Sequence, residues 1–172
     1  MSAGATMGLE SQVEPEILAV IRAAFACARG GDGEGLRRLL DQGVPPDVRN
    51  EKGDSLLMLA AYHGHLPAAR LLLERGADPE LRNDRGQSPL AGVAFKGDAA
   101  LAALLLDHGA QVDAPDRDGR TALMFAAMFD RLEVIRVLVE RGADPARTDA
   151  AGATAAQLAR AMGAEQAARI LG

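Results

Sequence analysis

The sequence predicts an all-α solenoid built from stacked helix-turn-helix units with short hairpin-like turns at their tips. The first observation is a period of 33 residues between glycines that stand two positions before a serine or threonine: Gly53, Gly86, Gly119 and Gly152. The second is another glycine column with the same spacing: Gly43, Gly76, Gly109 and Gly142. The third is a composition with 48% apolar residues but one tyrosine, four phenylalanines and no tryptophan. Stacked units can bury an alanine and leucine core that no single unit could form.

The unit that contains Ser55 shows how the pattern predicts each element. Ser55 is placed to cap a helix over 56–62, because its hydroxyl oxygen can accept a hydrogen bond from a free backbone N–H. A second helix is expected over 66–75, and Gly76 after it favours a left-handed C-terminal cap. The segment 77–85 is rich in Asp, Asn, Pro and Arg, which predicts an extended turn.

The period and its motifs resemble ankyrin repeats over about residues 17–171. The clearest stretches are Gly53 to Leu66 and Leu71 to Asp78, the second of which ends in Gly-Ala-Asp. The family's Thr-Pro-Leu-His motif is never complete, because Met58, Ala91, Met124 and Gln157 take the place of its histidine. The resemblance divides the chain into a mobile N-terminal tail (1–16), a degenerate capping repeat (17–49), three full repeats (50–82, 83–115, 116–148) and a truncated C-terminal capping repeat (149–172).

One short motif offers a competing, catalytic interpretation. Residues 53–56 spell Gly-Asp-Ser-Leu, which resembles the signature of a family of serine esterases. That family pairs its serine with an Asp-x-x-His near the chain end, but the last histidine here is His108, and Leu105 stands three before it. Ser55 also recurs as a serine or threonine in every later unit, and a serine without a base is a weak nucleophile. We therefore expect no enzyme activity and no catalytic residue.

Metal and cofactor sites are not expected either. His63 and His65 are spaced so that they could share a metal ion, but the chain has only three histidines and one cysteine. A zinc site needs three or four converging ligands. Cys27 stands in a column of small apolar residues, which predicts a structural role. No glycine-rich phosphate loop interrupts the repeats.

Charge and hydropathy limit the classes of partner. The net charge of −5 disfavours nucleic-acid binding, which usually requires a basic domain. The apolar run 17–28 contains Arg22 and is too short to span a bilayer. No basic residue precedes that run, so no signal peptide is expected. These features predict a cytoplasmic protein without membrane contact, monomeric when free, and the alanine- and arginine-rich composition suggests a bacterial source.

The resemblance implies protein binding through the concave groove that the turn tips and first helices form. The chain would then act as an accessory or regulatory partner of another protein, and a self-assembling scaffold remains the structural alternative. Tyr62, Phe95 and Met128 share one column, with Phe129 beside it, and would contact an apolar patch while tip cations steer the partner. The residues carried over by register are Lys52, Asp54, Tyr62, His63, Arg82, Arg85, Gln87, Phe95, Lys96, Arg117, Arg120, Met128 and Phe129.

Overall fold

The computed structural model describes the backbone of residues 7–172 and the side chains of residues 15–172. Within this range the chain forms ten α-helices and no strand, apart from two isolated antiparallel bridges. The fold-class prediction is therefore confirmed. The helices are α1 (Met7–Gly30), α2 (Gly33–Asp41), α3 (Leu56–Tyr62), α4 (Leu66–Glu74), α5 (Pro89–Lys96), α6 (Ala99–Asp107), α7 (Ala122–Met128), α8 (Leu132–Glu140), α9 (Ala155–Met162) and α10 (Glu165–Leu171).

The helices stack in two layers. The first helices of the units contact one another in the order α1, α3, α5, α7 and α9, and the second helices pack in the parallel order α2, α4, α6, α8 and α10. Alanines fill the spaces between the first helices: Ala60, Ala94 and Ala126 are completely buried. Leu72, Leu105 and Leu138 occupy the same level of the second layer and are also completely buried. Alanine and leucine thus make up most of the core, as the composition predicts.

A hydroxyl cap begins the first helix in each of the last four units. The side chains of Ser55 and Ser88 accept hydrogen bonds from the backbone N–H groups of Met58 and Ala91 at 3.1 and 3.2 Å. Thr121 and Thr154 make the same contact with residues three positions further on. These bonds satisfy backbone donors that a helix start would otherwise leave without partners. The capping role predicted for this column is confirmed.

Asp130 replaces glycine at one of the left-handed turns. It adopts a φ of 55°, whereas Gly64, Gly97 and Gly163 hold the equivalent positions with positive φ. A side chain at such a position costs free energy, although aspartate tolerates it better than most residues. The carboxylate of Asp130 accepts a hydrogen bond from the backbone N–H of Ala167 at 2.7 Å. This bond ties the last helix to the preceding repeat and offsets part of the backbone strain.

The structure differs from the sequence analysis at the N-terminus. Helix α1 begins at Met7, so residues 7–16 extend the first helix and the boundary drawn at residue 17 is not a helix end. Pro15 lies inside this helix, where the proline removes one backbone donor and does not end the helix. The remainder of the tail predicted over 1–16, residues 1–6, falls outside the described part of the chain.

Candidate binding groove

Four hairpin tips line one side of the concave face, and each is closed by the same side-chain contact. The Oδ1 atom of Asn83 accepts hydrogen bonds from the backbone N–H groups of Arg85 and Gln87 at 3.1 and 3.0 Å. Asn50, Asp116 and Asp149 make the equivalent pair of contacts in the other units. Sequence reasoning missed these closures, although an Asn or Asp at a spacing of 33 residues was the available signal.

One cleft of the concave face, with a volume of about 370 Å³, lies between the second repeat (50–82) and the third (83–115), counting the capping repeat as the first. We call it the central cleft. Leu59, Tyr62 and Phe95 form its apolar lining, and Asp54 and Arg85 border it from the tips. The structure therefore brings six of the carried-over residues to one cleft: Asp54, Tyr62, His63, Arg85, Gln87 and Phe95.

Two polar residues of the central cleft are held by internal hydrogen bonds. The Nδ2 atom of Asn83 donates to Asp54 Oδ1 at 2.9 Å and to Gln87 Oε1 at 3.0 Å. Asn83 is itself buried, so this three-residue network links the tips of the second and third repeats. These hydrogen bonds hold the side chains of Asp54 and Gln87 in place at the wall of the cleft, without a ligand.

The aromatic column divides into an exposed member and a packed pair. Tyr62 is 38% exposed, and Lys96 Nζ lies 4.9 Å from the centroid of its ring. Phe95 and Phe129 are half-buried and pack edge to face, with ring centroids 4.6 Å apart. Met128 is half-buried as well. Phe95 and Phe129 thus fill the space between adjacent first helices, whereas Tyr62 offers the largest aromatic surface to a ligand.

The predicted steering cations also divide into two groups. The guanidinium of Arg82 donates to two carbonyl oxygens of the next repeat, that of Gly86 at 3.2 Å and that of Pro115. It therefore links two repeats. Arg120 Nε is buried and lies 3.9 Å from the Asp149 carboxylate. Lys52, Arg85 and Arg117, by contrast, are exposed at the tips. The register identified the column of each cation. It could not show whether that cation already forms a hydrogen bond or an ion pair with another residue of the stack.

His63 occupies an electropositive part of the groove. Partial burial is the main cause that lowers the pKa of His63 below its ordinary value, and the charges of His65, Arg29 and Lys96 lower it further. His63 is therefore neutral near pH 7. The unfolded chain binds this proton first as the pH falls through about 6.5, so protonation disfavours the folded state below that pH.

His65 and Cys27 have structural surroundings. A ring nitrogen of His65, Nε2, lies 2.9 Å from the carbonyl oxygen of Arg29, which joins the second unit to the first. Burial raises the pKa of the Cys27 thiol, and the nearby Asp32 carboxylate raises it further. Such a thiol is a poor nucleophile at neutral pH. Within residues 15–172, no group of three or more potential ligands could hold a metal ion.

Replacing Ser55 with alanine should lower the free energy of unfolding by about 1 kcal/mol, because a helix loses its cap. Ser55 is 1% exposed, and its hydroxyl lies within the stack with Met58 N as its partner. Thr121→Ala removes the equivalent cap and serves as the matched control. Urea unfolding followed by circular dichroism should give similar losses for both variants. An ester-hydrolysing activity that Ser55→Ala abolishes and Thr121→Ala preserves would contradict the structural role.

The paired helices, the hairpin tips and the concave face define a helical repeat protein. A family model for ankyrin repeats in three copies matches residues 23–116, 75–149 and 93–171. These matches extend over most of the chain, and the protein belongs to the ankyrin repeat family. Members of this family generally act as protein–protein interaction modules and are typically non-catalytic.

One curated relative of this chain is a bacterial protein. An ankyrin repeat protein of Pseudomonas aeruginosa is 51% identical over 59 residues. The match covers 34% of this chain and 34% of the length of that protein. It therefore supports the repeat assignment over the matched stretch. None of the helices within the described range is both long and apolar enough to cross a membrane.

Proposed function

We propose that this chain is a non-catalytic binding module that engages a partner protein through its concave groove, as an accessory or regulatory subunit. The observation that carries the proposal is the central cleft, which the exposed ring of Tyr62 lines together with residues of two hairpin tips. Exposed aromatic side chains in a concave, partly apolar surface are typical anchors of protein interfaces. The partner would contact Tyr62 at its centre and the exposed cations Lys52, Arg85 and Arg117 at its edge.

The groove is preorganised for binding. The tips are joined by backbone hydrogen bonds from Asp84 N to the Lys52 carbonyl oxygen at 3.1 Å and from Ala150 N to the Asp118 carbonyl oxygen at 2.9 Å. The Asn83 network adds a side-chain link between adjacent tips. A rigid surface loses little conformational entropy on association, so more of the contact energy appears as affinity. This rigidity supports binding without a large rearrangement of the repeats.

We also propose that the module acts in the cytoplasm as a monomer. A lone, half-buried Cys27 is compatible with a reducing cytoplasm. We propose that the free chain is a monomer. Tyr62 and the tip cations would contact the partner protein rather than a second copy of this chain. Sedimentation velocity over a range of concentrations tests this point. A size that grows with concentration would favour the self-assembling scaffold.

The central test uses variants of the groove and of the opposite face. Tyr62→Ala combined with Arg85→Ala removes the exposed ring and an exposed cation of the same cleft. Arg136→Ala in α8 removes an exposed cation of the second helical layer. Native and variant chains, checked for folding by circular dichroism, serve as baits for capture from the source cell and mass spectrometry.

We expect a protein that the native chain and Arg136→Ala capture and that the groove variant loses, with affinity reduced at least about tenfold, as for loss of a hot spot. Equal capture by all three baits would contradict binding through the central cleft. Esterase activity of the purified native chain would contradict the non-catalytic proposal.

A further inference from the structure

A second groove lies beside the central cleft, between helix α1 and the tip of the second repeat. We call it the α1 groove. Its volume is about 580 Å³. Leu18, Ile21 and Phe25 of α1 form one apolar wall, and Leu59 of α3 continues this surface toward the central cleft. Lys52 and Asp54 of this groove belong to the set carried over from the family resemblance, but the register placed no binding residue on α1, so the α1 wall is new.

The length of α1 creates this groove. By the 33-residue period, residues 23–29 of α1 correspond to α3, and the hairpin tip of a full repeat would precede them. Helix α1 instead runs back to Met7, so a helix replaces that tip. Ile17 and Leu18 are 51% and 50% exposed on the extension. Exposed apolar residues next to a groove indicate a contact surface.

The rim of the α1 groove is positively charged. Arg22, Arg29 and Lys52 line it and are exposed. Among the side chains of residues 15–172, none of these three cations lies within 4.0 Å of a carboxylate, the limit for an ion pair. Arg49 differs, because its guanidinium pairs with Asp84 at 3.2 Å.

Two carboxylates, Asp54 and Glu51, share this rim. Asp54 accepts hydrogen bonds from the side-chain amides of Asn50, at 3.4 Å, and Asn83, at 2.9 Å. Glu51 is exposed at the tip. Asp54 keeps its negative charge, because both amide donors are neutral. Within residues 15–172, three cations without an ion pair therefore face two carboxylates, and the rim is net positive in a chain whose net charge is −5. A partner segment with carboxylates would complement this rim, whereas a basic segment would be repelled.

The α1 groove and the central cleft form one continuous path. Asp54 and Leu59 line both. Beyond Leu59 the path meets Tyr62, whose ring centroid lies 4.9 Å from Lys96 Nζ, and Arg85 lines the same cleft. A ligand that follows this path meets apolar surface along the floor and positive charge along the edges. An extended contact of this kind would use the N-terminal half of the stack.

We infer that the α1 groove binds an acidic amphipathic segment of the partner protein, a step that rests on the proposed function. The apolar side chains of that segment pack on Leu18, Phe25 and Leu59. Its carboxylates pair with Arg22, Arg29 and Lys52. The α1 groove thereby selects acidic partners, and the central cleft supplies the aromatic anchor.

A displayed library of random peptides tests the inference without an identified partner. The native chain selects peptides at low salt, and their affinities are then measured by fluorescence anisotropy. One variant, which we call the trough variant, reverses two cations of the α1 groove with Arg22→Glu and Lys52→Glu. The matched control carries Arg70→Glu and Arg169→Glu, which reverse two exposed cations of the second helical layer.

We expect selected peptides in which apolar residues alternate with or are flanked by Asp and Glu. Their affinity should fall at least about tenfold for the trough variant and stay unchanged for the control, since a tenfold loss corresponds to about 1.4 kcal/mol. Added salt should weaken binding to the native chain, because exposed charges are screened.

Four results would overturn the inference. Neutral or basic selected peptides would contradict the charge argument. Binding that Tyr62→Ala abolishes and the trough variant preserves would leave the proposed function intact and remove the α1 groove from it, whereas binding that neither variant alters would reject both. A native dimer in sedimentation that the trough variant dissociates would assign the α1 groove to a second copy of this chain.

Discussion

Truncation of Leu105 to alanine should lower the free energy of unfolding by about 3 kcal/mol, because it leaves a cavity in the core. Leu105 is completely buried in α6, the second helix of the third repeat. That helix contacts α5 of its own unit and both α4 and α8 of the neighbouring units. Urea unfolding followed by circular dichroism measures the loss. The transition should also broaden, since repeat stability depends on nearest-neighbour contacts.

An exposed apolar residue provides the control. Ile170→Ala in α10 removes the same class of side chain from a position that is 51% exposed, and should cost less than about 1 kcal/mol. Equal losses for Leu105→Ala and Ile170→Ala would show that burial does not govern stability here, which would contradict the packing described for the middle of the stack.

Gly119→Ala should lower the free energy of unfolding by about 3 kcal/mol, the sum of backbone strain and overpacking. Gly119 has a φ of +74°, which disfavours any side chain. An added Cβ would lie only 2.9 Å from the backbone nitrogen of Ala150. That nitrogen donates to the Asp118 carbonyl oxygen and joins two hairpin tips. Thermal unfolding by calorimetry should therefore show a large decrease in Tm.

Gly152 separates the two causes of that loss. It occupies the same column and has a φ of +83°, but an added Cβ would meet nothing within 4 Å. Gly152→Ala should cost only about 1 kcal/mol, from the backbone conformation alone. The difference between the two variants measures how closely adjacent tips pack. A Gly152→Ala loss as large as that of Gly119→Ala would show that backbone strain accounts for both.

The repeat fold could be predicted from the sequence because its signals are local and occur several times. The spacing of 33 residues, the capping hydroxyls and the left-handed glycines each act within one unit. Helix α3 covers the predicted 56–62, and α4 ends at Glu74, one residue before the predicted end. The start of α1 could not be predicted in this way, since the first unit lacks a preceding tip and capping hydroxyl.

The candidate site could be predicted only in part. The register placed Tyr62, Phe95 and Arg82 on the concave side, because each column recurs at the same level of the stack. It could not show that Phe95 packs on Phe129, or that Arg82 donates to the Pro115 carbonyl oxygen in the next repeat. Both contacts depend on the distance between neighbouring units, which no single unit encodes.

The sequence by itself determined the family, the helix pairs, the caps and the alanine-rich core, because these follow from residue type and spacing along the chain. The tertiary structure decided which side chains remain free to bind. Stacking commits Arg82, Arg120 and Asp54 to contacts between units, and it leaves Tyr62 and Lys52 exposed. Contacts between residues that are about one repeat apart arise only when the units pack, so their outcome depends on three-dimensional geometry.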